Sequence, residues 1–144
     1  MAGLASVSWP GRLDRRPLAN GREALLDAAH NPDGAAALAA FLRSRSGPLL
    51  PIVFAASRDK DAAGMLRALA PVAGVFVLTR ASNPRAADPS DLAAHARDIA
   101  PSRALLVEPA PRDALAAAWG LSPQIVVAGS IFLLGDVLNE IARS

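Results

Sequence analysis

Short apolar runs alternate along this chain with longer stretches in which apolar residues, many of them alanine, recur every three or four positions. The runs at 24–28, 49–56, 75–79, 104–107 and 125–128 read as strands, and the stretches at 33–43, 61–70, 90–99, 112–119 and 131–142 as helices. Pro48, Pro71, Pro84, Pro89, Pro101, Pro109 and Pro123 stand at the joints, and none of them falls inside a helix. Ser90 with Asp91, and Pro111 leading into Arg112, are helix starts. Before the first apolar run, Asn20-Gly21 is a hairpin-turn pair, so one strand on each side of it should pair antiparallel. Strands that alternate with helices over this length predict an α/β fold: a Rossmann-like three-layer sandwich with a mainly parallel sheet and one antiparallel strand from an N-terminal hairpin. Residues 1–8 are expected to form a flexible linker, and residues 9–144 one domain.

Composition narrows the class. No apolar run approaches the length of a membrane span, and the N-terminus lacks the regions of a signal peptide, so a cytoplasmic protein is expected, with no membrane partner. The chain has no cysteine, and its two histidines lie far apart, which argues against a zinc centre, and no metal-ligating residue is expected in this domain. The isoelectric point is near 10.4, yet the net charge is only +2. The arginines are scattered without interleaved aromatics, so nucleic acid is not an expected partner. Lys60 is the only lysine among cations that are otherwise all arginine.

In a parallel sheet the carboxyl ends of the strands share one rim, where α/β proteins place their ligands. Read in order, those ends carry Asp27 with His30, Ser57-Arg58-Asp59-Lys60, the segment from Thr79 to Arg85, and Gly129-Ser130. Asn31 can cap the helix that Pro32 begins. Each of these residues also has a purely structural reading. His30 can be a loop histidine, and Asp27 can serve only nearby backbone N–H groups. Lys60 can be neutralised by Asp59 and Asp61, and Ser130 can be an ordinary helix cap. His95 reads as a surface residue, Trp9 and Trp119 as packing residues, and Phe132-Leu133-Leu134 as mostly core. The chain has no phosphate-binding G-x-x-x-x-G-K-[ST] loop and no nucleophile elbow.

Five segments together resemble the C-terminal domain of folylpolyglutamate synthase/dihydrofolate synthase, in the Mur-ligase superfamily. They are Trp9-Pro10-Gly11-Arg12-Leu13-Asp14, Leu26-Asp27-Ala28-Ala29-His30-Asn31-Pro32, Asp59-Lys60-Asp61, Asn83-Pro84-Arg85-Ala86, and the stretch from Ala128-Gly129-Ser130 to Gly135. The departures are small: Ala28 replaces a usual glycine, and Phe132 stands where tyrosine is common. Members of that family join L-glutamate to a pteroate or folate carboxylate through an acyl phosphate, using ATP and magnesium. The resemblance implies that Arg12, Asp27, His30 and Asn31 contact ATP, with His30 between nucleotide and glutamate. It implies that Lys60 and Ser130 hold the glutamate carboxylates, that His30 and Lys60 are the catalytic pair, and that metal is held mainly by an N-terminal P-loop domain. The implied partners are ATP, L-glutamate, dihydropteroate or folate, and that P-loop domain of the same protein. The implied state is a monomer, folded but inactive without the P-loop domain. Two rivals share these features: the C-terminal domain of a peptidoglycan Mur-type amino-acid ligase, and a stand-alone nucleotide or amino-acid binding module.

Overall fold

A computed structural model describes residues 12–143. The expected linker and the Trp9-Pro10-Gly11 portion of the first motif lie outside the described residues. Six strands form one sheet: β1 (Asp14–Pro17), β2 (Glu23–Asp27), β3 (Leu50–Phe54), β4 (Ala73–Leu78), β5 (Leu105–Val107) and β6 (Gln124–Ala128). Their spatial order is β1-β2-β6-β3-β4-β5, with β1 antiparallel to β2 and every other neighbour parallel. The expected α/β sandwich is therefore present.

The hairpin turns where expected. Asn20 and Gly21 both adopt positive φ, 65° and 74°, which suits the right-handed twist of the strands they join. Pro17 closes β1 at the sheet edge, where a missing N–H removes no ladder bond. Pro51 is less expected, because β3 is an interior strand. Its register with β4 shifts between Leu50 and Pro51, and pairing with β6 begins only at Ile52, so the proline sits at an irregular strand start.

Among the described residues five α-helices cover the sheet: α1 (Pro32–Ser44), α2 (Ala62–Leu69), α3 (Pro89–Ile99), α4 (Pro111–Leu121) and α5 (Ile131–Arg143). One proline-led helix start differs from the sequence reading and one agrees with it. Asp88 caps α3, accepting from the Ser90 N–H at 2.8 Å, so Pro89 is its first residue; Pro111 is itself the first residue of α4. In both, proline's fixed φ suits the first helical position.

The core is split by the sheet. Leu25, Ile52, Phe54, Phe76, Leu78 and Val126 pack with α1, α2 and α3 on one face. Leu26, Val53, Val77, Ile125 and Val127 pack with α4 and α5 on the other. Successive strand residues serve opposite cores, which is why these strands read as unbroken apolar runs. The division of helices follows from connectivity. From β2 through β5 the chain steps across the sheet in one direction; β6 then returns to lie between β2 and β3. Parallel crossovers keep one hand, so reversing the direction transfers α4 to the opposite face.

Candidate functional site

The return of β6 also builds the site. It brings the carboxyl ends of β2, β6, β3 and β4 side by side, and with them the loops that carry Asp27, Ser130, Lys60 and Arg85.

Asp27 ends β2 and is 5% exposed. Its Oδ1 accepts from the Ala29 N–H at 2.9 Å, and its Oδ2 from the Leu13 N–H at 3.1 Å. Burial pushes its carboxyl above the ordinary value, against the pull of those two N–H groups and of the Arg12 guanidinium. Leu13 has φ of 49°, a left-handed conformation that a leucine adopts only under constraint. The bond to Asp27 supplies that constraint and fixes the backbone next to Arg12. The structural reading of Asp27 is thus correct as far as it goes, yet the residue also lines a cavity of about 200 Å³ with Arg12, His30 and Asn31.

His30 is exposed, and its Nδ1 lies 3.1 Å from the Ala28 carbonyl oxygen. In the neutral ring that contact places the proton on Nδ1 and leaves the Nε2 lone pair free. Asn31 caps α1 as expected: its Oδ1 accepts from the Gly34 N–H at 2.8 Å, and its amide nitrogen remains to donate to a ligand.

A second cavity, of about 410 Å³, adjoins the first, and Arg12, Ala28 and His30 line both. Its other walls include Lys60, Arg85, Ser130 and Phe132. Lys60 is exposed, and neither flanking aspartate takes it. Asp61 caps α2 by accepting from the Gly64 N–H at 2.9 Å, while Asp59 pairs with Arg85 at 3.4 Å. Among the described residues the Lys60 ammonium has no ion-pair partner, so the neutralised reading of this lysine does not hold. Ser130 is 4% exposed, and its Oγ accepts from the N–H groups of Phe132 and Leu133 at 3.1 and 3.4 Å. It is a helix cap, as the structural reading has it, and its hydroxyl proton remains available beside the start of α5.

Gly129 makes this junction possible. Its φ is 108°, and a Cβ there would lie 2.0 Å from the Ala55 carbonyl oxygen and 2.8 Å from the Phe54 ring. The Phe132-Leu133-Leu134 run is mostly core, as read: Leu133 and Leu134 are buried, while Phe132 is 45% exposed and faces the cavity. A helix start that opens onto a cavity turns its first side chains outward. Arg85 and Asp59 read in the sequence as members of the ligand-bearing rim, with no role assigned to either. Segment 83–87 is pinned to segment 56–58 by a Ser57–Ala86 bridge, and nothing local in the sequence signals that contact. Among the described residues no group of three or more His, Asp or Glu side chains could hold a metal ion. No described helix is long and apolar enough to cross a membrane.

Residues 11–131 match the family model "Mur ligase, glutamate ligase domain". The chain belongs to this family. The domain is 40% identical over 122 residues to the dihydrofolate synthase/folylpolyglutamate synthase of Mycobacterium tuberculosis, a match covering 83% of this chain and 24% of that protein. It is 33% identical over 147 residues to the probable bifunctional folylpolyglutamate synthase/dihydropteroate synthase of Halobacterium salinarum, covering 99% of this chain and 17% of that one. Its fold superposes on the crystal structure of Mycobacterium tuberculosis folylpolyglutamate synthase complexed with ADP and AMPPCP with a TM-score of 0.84 and 35% identity, covering 99% of this chain and 34% of that one. The chain therefore spans about a quarter or less of the curated relatives it matches.

Proposed function

We propose that this domain, residues 9–144, is the closing C-terminal domain of an ATP-dependent ligase that adds L-glutamate to dihydropteroate or folate. The observation that carries the reading is the pair of adjoining cavities that share Arg12 and His30. One side offers a buried carboxylate, the other an unpaired ammonium and a capped helix start. A ligase needs a nucleotide and an amine donor to meet at one point, and two cavities with a common wall provide that point. The likeness to a synthase crystallised with ADP and AMPPCP supports a nucleotide in the first cavity.

In this reading Asp27 accepts from the ribose hydroxyls, and Arg12 meets the phosphates. Asn31 adds its free amide nitrogen. Lys60 and Ser130 receive the carboxylates of glutamate, the first as a point charge, the second through its hydroxyl beside the start of α5. His30, on the shared wall, presents the Nε2 lone pair to the α-amine and accepts a hydrogen bond as that amine attacks the acyl phosphate. Closure of the domain over the rest of the enzyme excludes water, and these charges then act at full strength on the developing oxyanion. Magnesium accompanies the nucleotide in such chemistry, held in this reading mainly by the P-loop domain of the same protein, since the described residues offer no group of three or more His, Asp or Glu.

The test uses the full-length protein that carries this domain, supplied with ATP, magnesium, dihydropteroate and L-glutamate, with glutamylated product read by mass spectrometry. One glutamate added per ATP consumed is the expected result, and the 144-residue chain alone should form none. Turnover of D-glutamate or diaminopimelate on a peptidoglycan precursor, in place of L-glutamate on a folate, would move the protein to the other branch of the superfamily. Nucleotide binding without any ligation would make it a binding module.

A further inference from the structure

Resting on the ligase reading, we infer that the Ser57 hydroxyl binds the α-amine of the incoming glutamate in the Lys60 cavity, accepting from one of its N–H groups while His30 accepts from the other. Ser57 opens the segment that reads in the sequence as part of the ligand-bearing rim, and no role attaches to it there. Its burial, its lack of a partner and the chemistry of the cavity wall converge on this role.

From β3 the chain continues through Ala55 and Ala56, each 1% exposed, to Ser57 at 9%. The Ser57 carbonyl accepts from the Lys60 N–H at 3.1 Å, and its backbone bridges Ala86, so its position is fixed without help from the side chain. The hydroxyl itself makes no hydrogen bond among the described residues. A polar group withdrawn from water without a partner destabilises the fold, and an alanine here would avoid that cost. Among the described residues Asn83 Nδ2 is the only side-chain polar atom that is both unpaired and sealed from solvent. The Ser57 hydroxyl therefore reaches open space, and the space that Ser57 borders is the second cavity.

That cavity is rich in donors and short of acceptors. Arg12, Lys60 and Arg85 can only donate. Asp59 is taken by Arg85 at 3.4 Å. Ser130 Oγ already accepts from two N–H groups, which leaves it only a proton to give. His30 offers a single lone pair, at Nε2. A neutral amine carries two N–H groups and one lone pair, and the lone pair must stay free to attack. Both N–H groups therefore need acceptors if the amine is to be held in one orientation. Ser57 Oγ has its lone pairs unused and supplies the second. A hydroxyl suits this task better than a carboxylate, which would pair with the surrounding cations and favour the unreactive ammonium form. The three cations act in the opposite sense and favour the free amine.

The experiment compares the full-length protein with its Ser57→Ala variant in steady-state kinetics, using glutarate as a competing ligand. Glutarate keeps both carboxylates of glutamate and lacks only the amine. Loss of one neutral hydrogen bond should lower kcat/KM for L-glutamate by about 2- to 10-fold. The inhibition constant of glutarate and the KM for ATP should both stay within about 1.5-fold of wild type. The thermal unfolding midpoint of Ser57→Ala should be no lower than that of wild type, because no partner is lost. An unchanged kcat/KM for L-glutamate would overturn the inference. So would an equal weakening of glutarate, which would place Ser57 on a carboxylate, or a lowered midpoint with a raised KM for ATP, which would make the residue structural. Each of these leaves the ligase reading in place, whereas a wild-type protein that ligates no glutamate would overturn both.

Discussion

Gly129→Ala should be the most damaging single-methyl change in the described structure. The glycine joins β6 to α5 at φ of 108°, where an alanine costs about 1–3 kcal/mol in backbone strain alone. Its new Cβ would lie 2.0 Å from the Ala55 carbonyl and 2.8 Å from a ring carbon of Phe54. Neither neighbour can yield. Phe54 is fully buried between the helices of one face, and the Ala55 backbone is held to Ala128. Overpacking of this kind adds about 1–3 kcal/mol. The two contributions together are about 2–6 kcal/mol, which for a chain of this size lowers the unfolding midpoint by roughly 6–18 °C. The assay is thermal unfolding followed by circular dichroism, with Gly135→Ala as control. Gly135 lies in α5 with open space around it, so an alanine there should stabilise by about 0.5–1 kcal/mol. A Gly129→Ala midpoint level with wild type would refute the argument that this junction has no room to move.

Lys60→Ala should leave stability within about 0.5 kcal/mol of wild type, because the ammonium has no ion-pair partner among the described residues, yet in the full-length protein it should raise the KM for glutamate. Equal loss of both would mark Lys60 as structural. Ser130→Ala should instead cost about 1 kcal/mol of stability, read by urea unfolding, because its Oγ caps α5. Asp27 predicts a pH dependence. Folding raises its carboxyl value, so the stability conferred by its protonation is complete below the ordinary carboxylate value and is lost as pH rises through the raised one. Only the ionised form accepts from hydroxyls with both oxygens. On acidification, ADP affinity of the full-length protein should therefore fall at a higher pH than an ordinary aspartate would give, and Asp27→Asn should remove that limb; identical calorimetric titrations for the two would refute it.

Local chemistry made most of the fold legible. Asn20-Gly21 carries its own turn, Asn31-Pro32 its own cap and first residue, and the apolar runs their double burial. The errors are local too. Ser90 reads as a helix start, yet Asp88 supplies the cap, and a run that reads as mostly core does not say which of its three residues, here Phe132, lies outside it. What the sequence could not carry were the choices between equivalent partners. Asp59 and Asp61 flank Lys60 symmetrically in the chain, and both are plausible counterions. Only the packed structure sends one to a helix start and the other to Arg85, 26 residues away.

The same limit governs the site as a whole, and strand order decides it. The motifs were visible along the chain, but their distances depend on where β6 pairs. Hydrogen-bonded strands lie about 4.8 Å apart, so a β6 added beyond β5 would have put Ser130 four strand spacings from Asp27, roughly 19 Å. Paired instead between β2 and β3, with Asp27 opposite Ala128 and Phe54 opposite the same residue, it sets Ser130 between the His30 and Lys60 loops. No residue of β6 announces that choice, since its apolar run would satisfy either position. The determinant lies in the connections. Once β3, β4 and β5 had been laid down in one direction with their helices on one face, the other face of the sheet was uncovered, and only a chain returning through α4 could cover it. The requirement to bury the second face thus brings the Ser130 helix start beside the histidine and the lysine. Packing, rather than any motif, assembles the site from its parts.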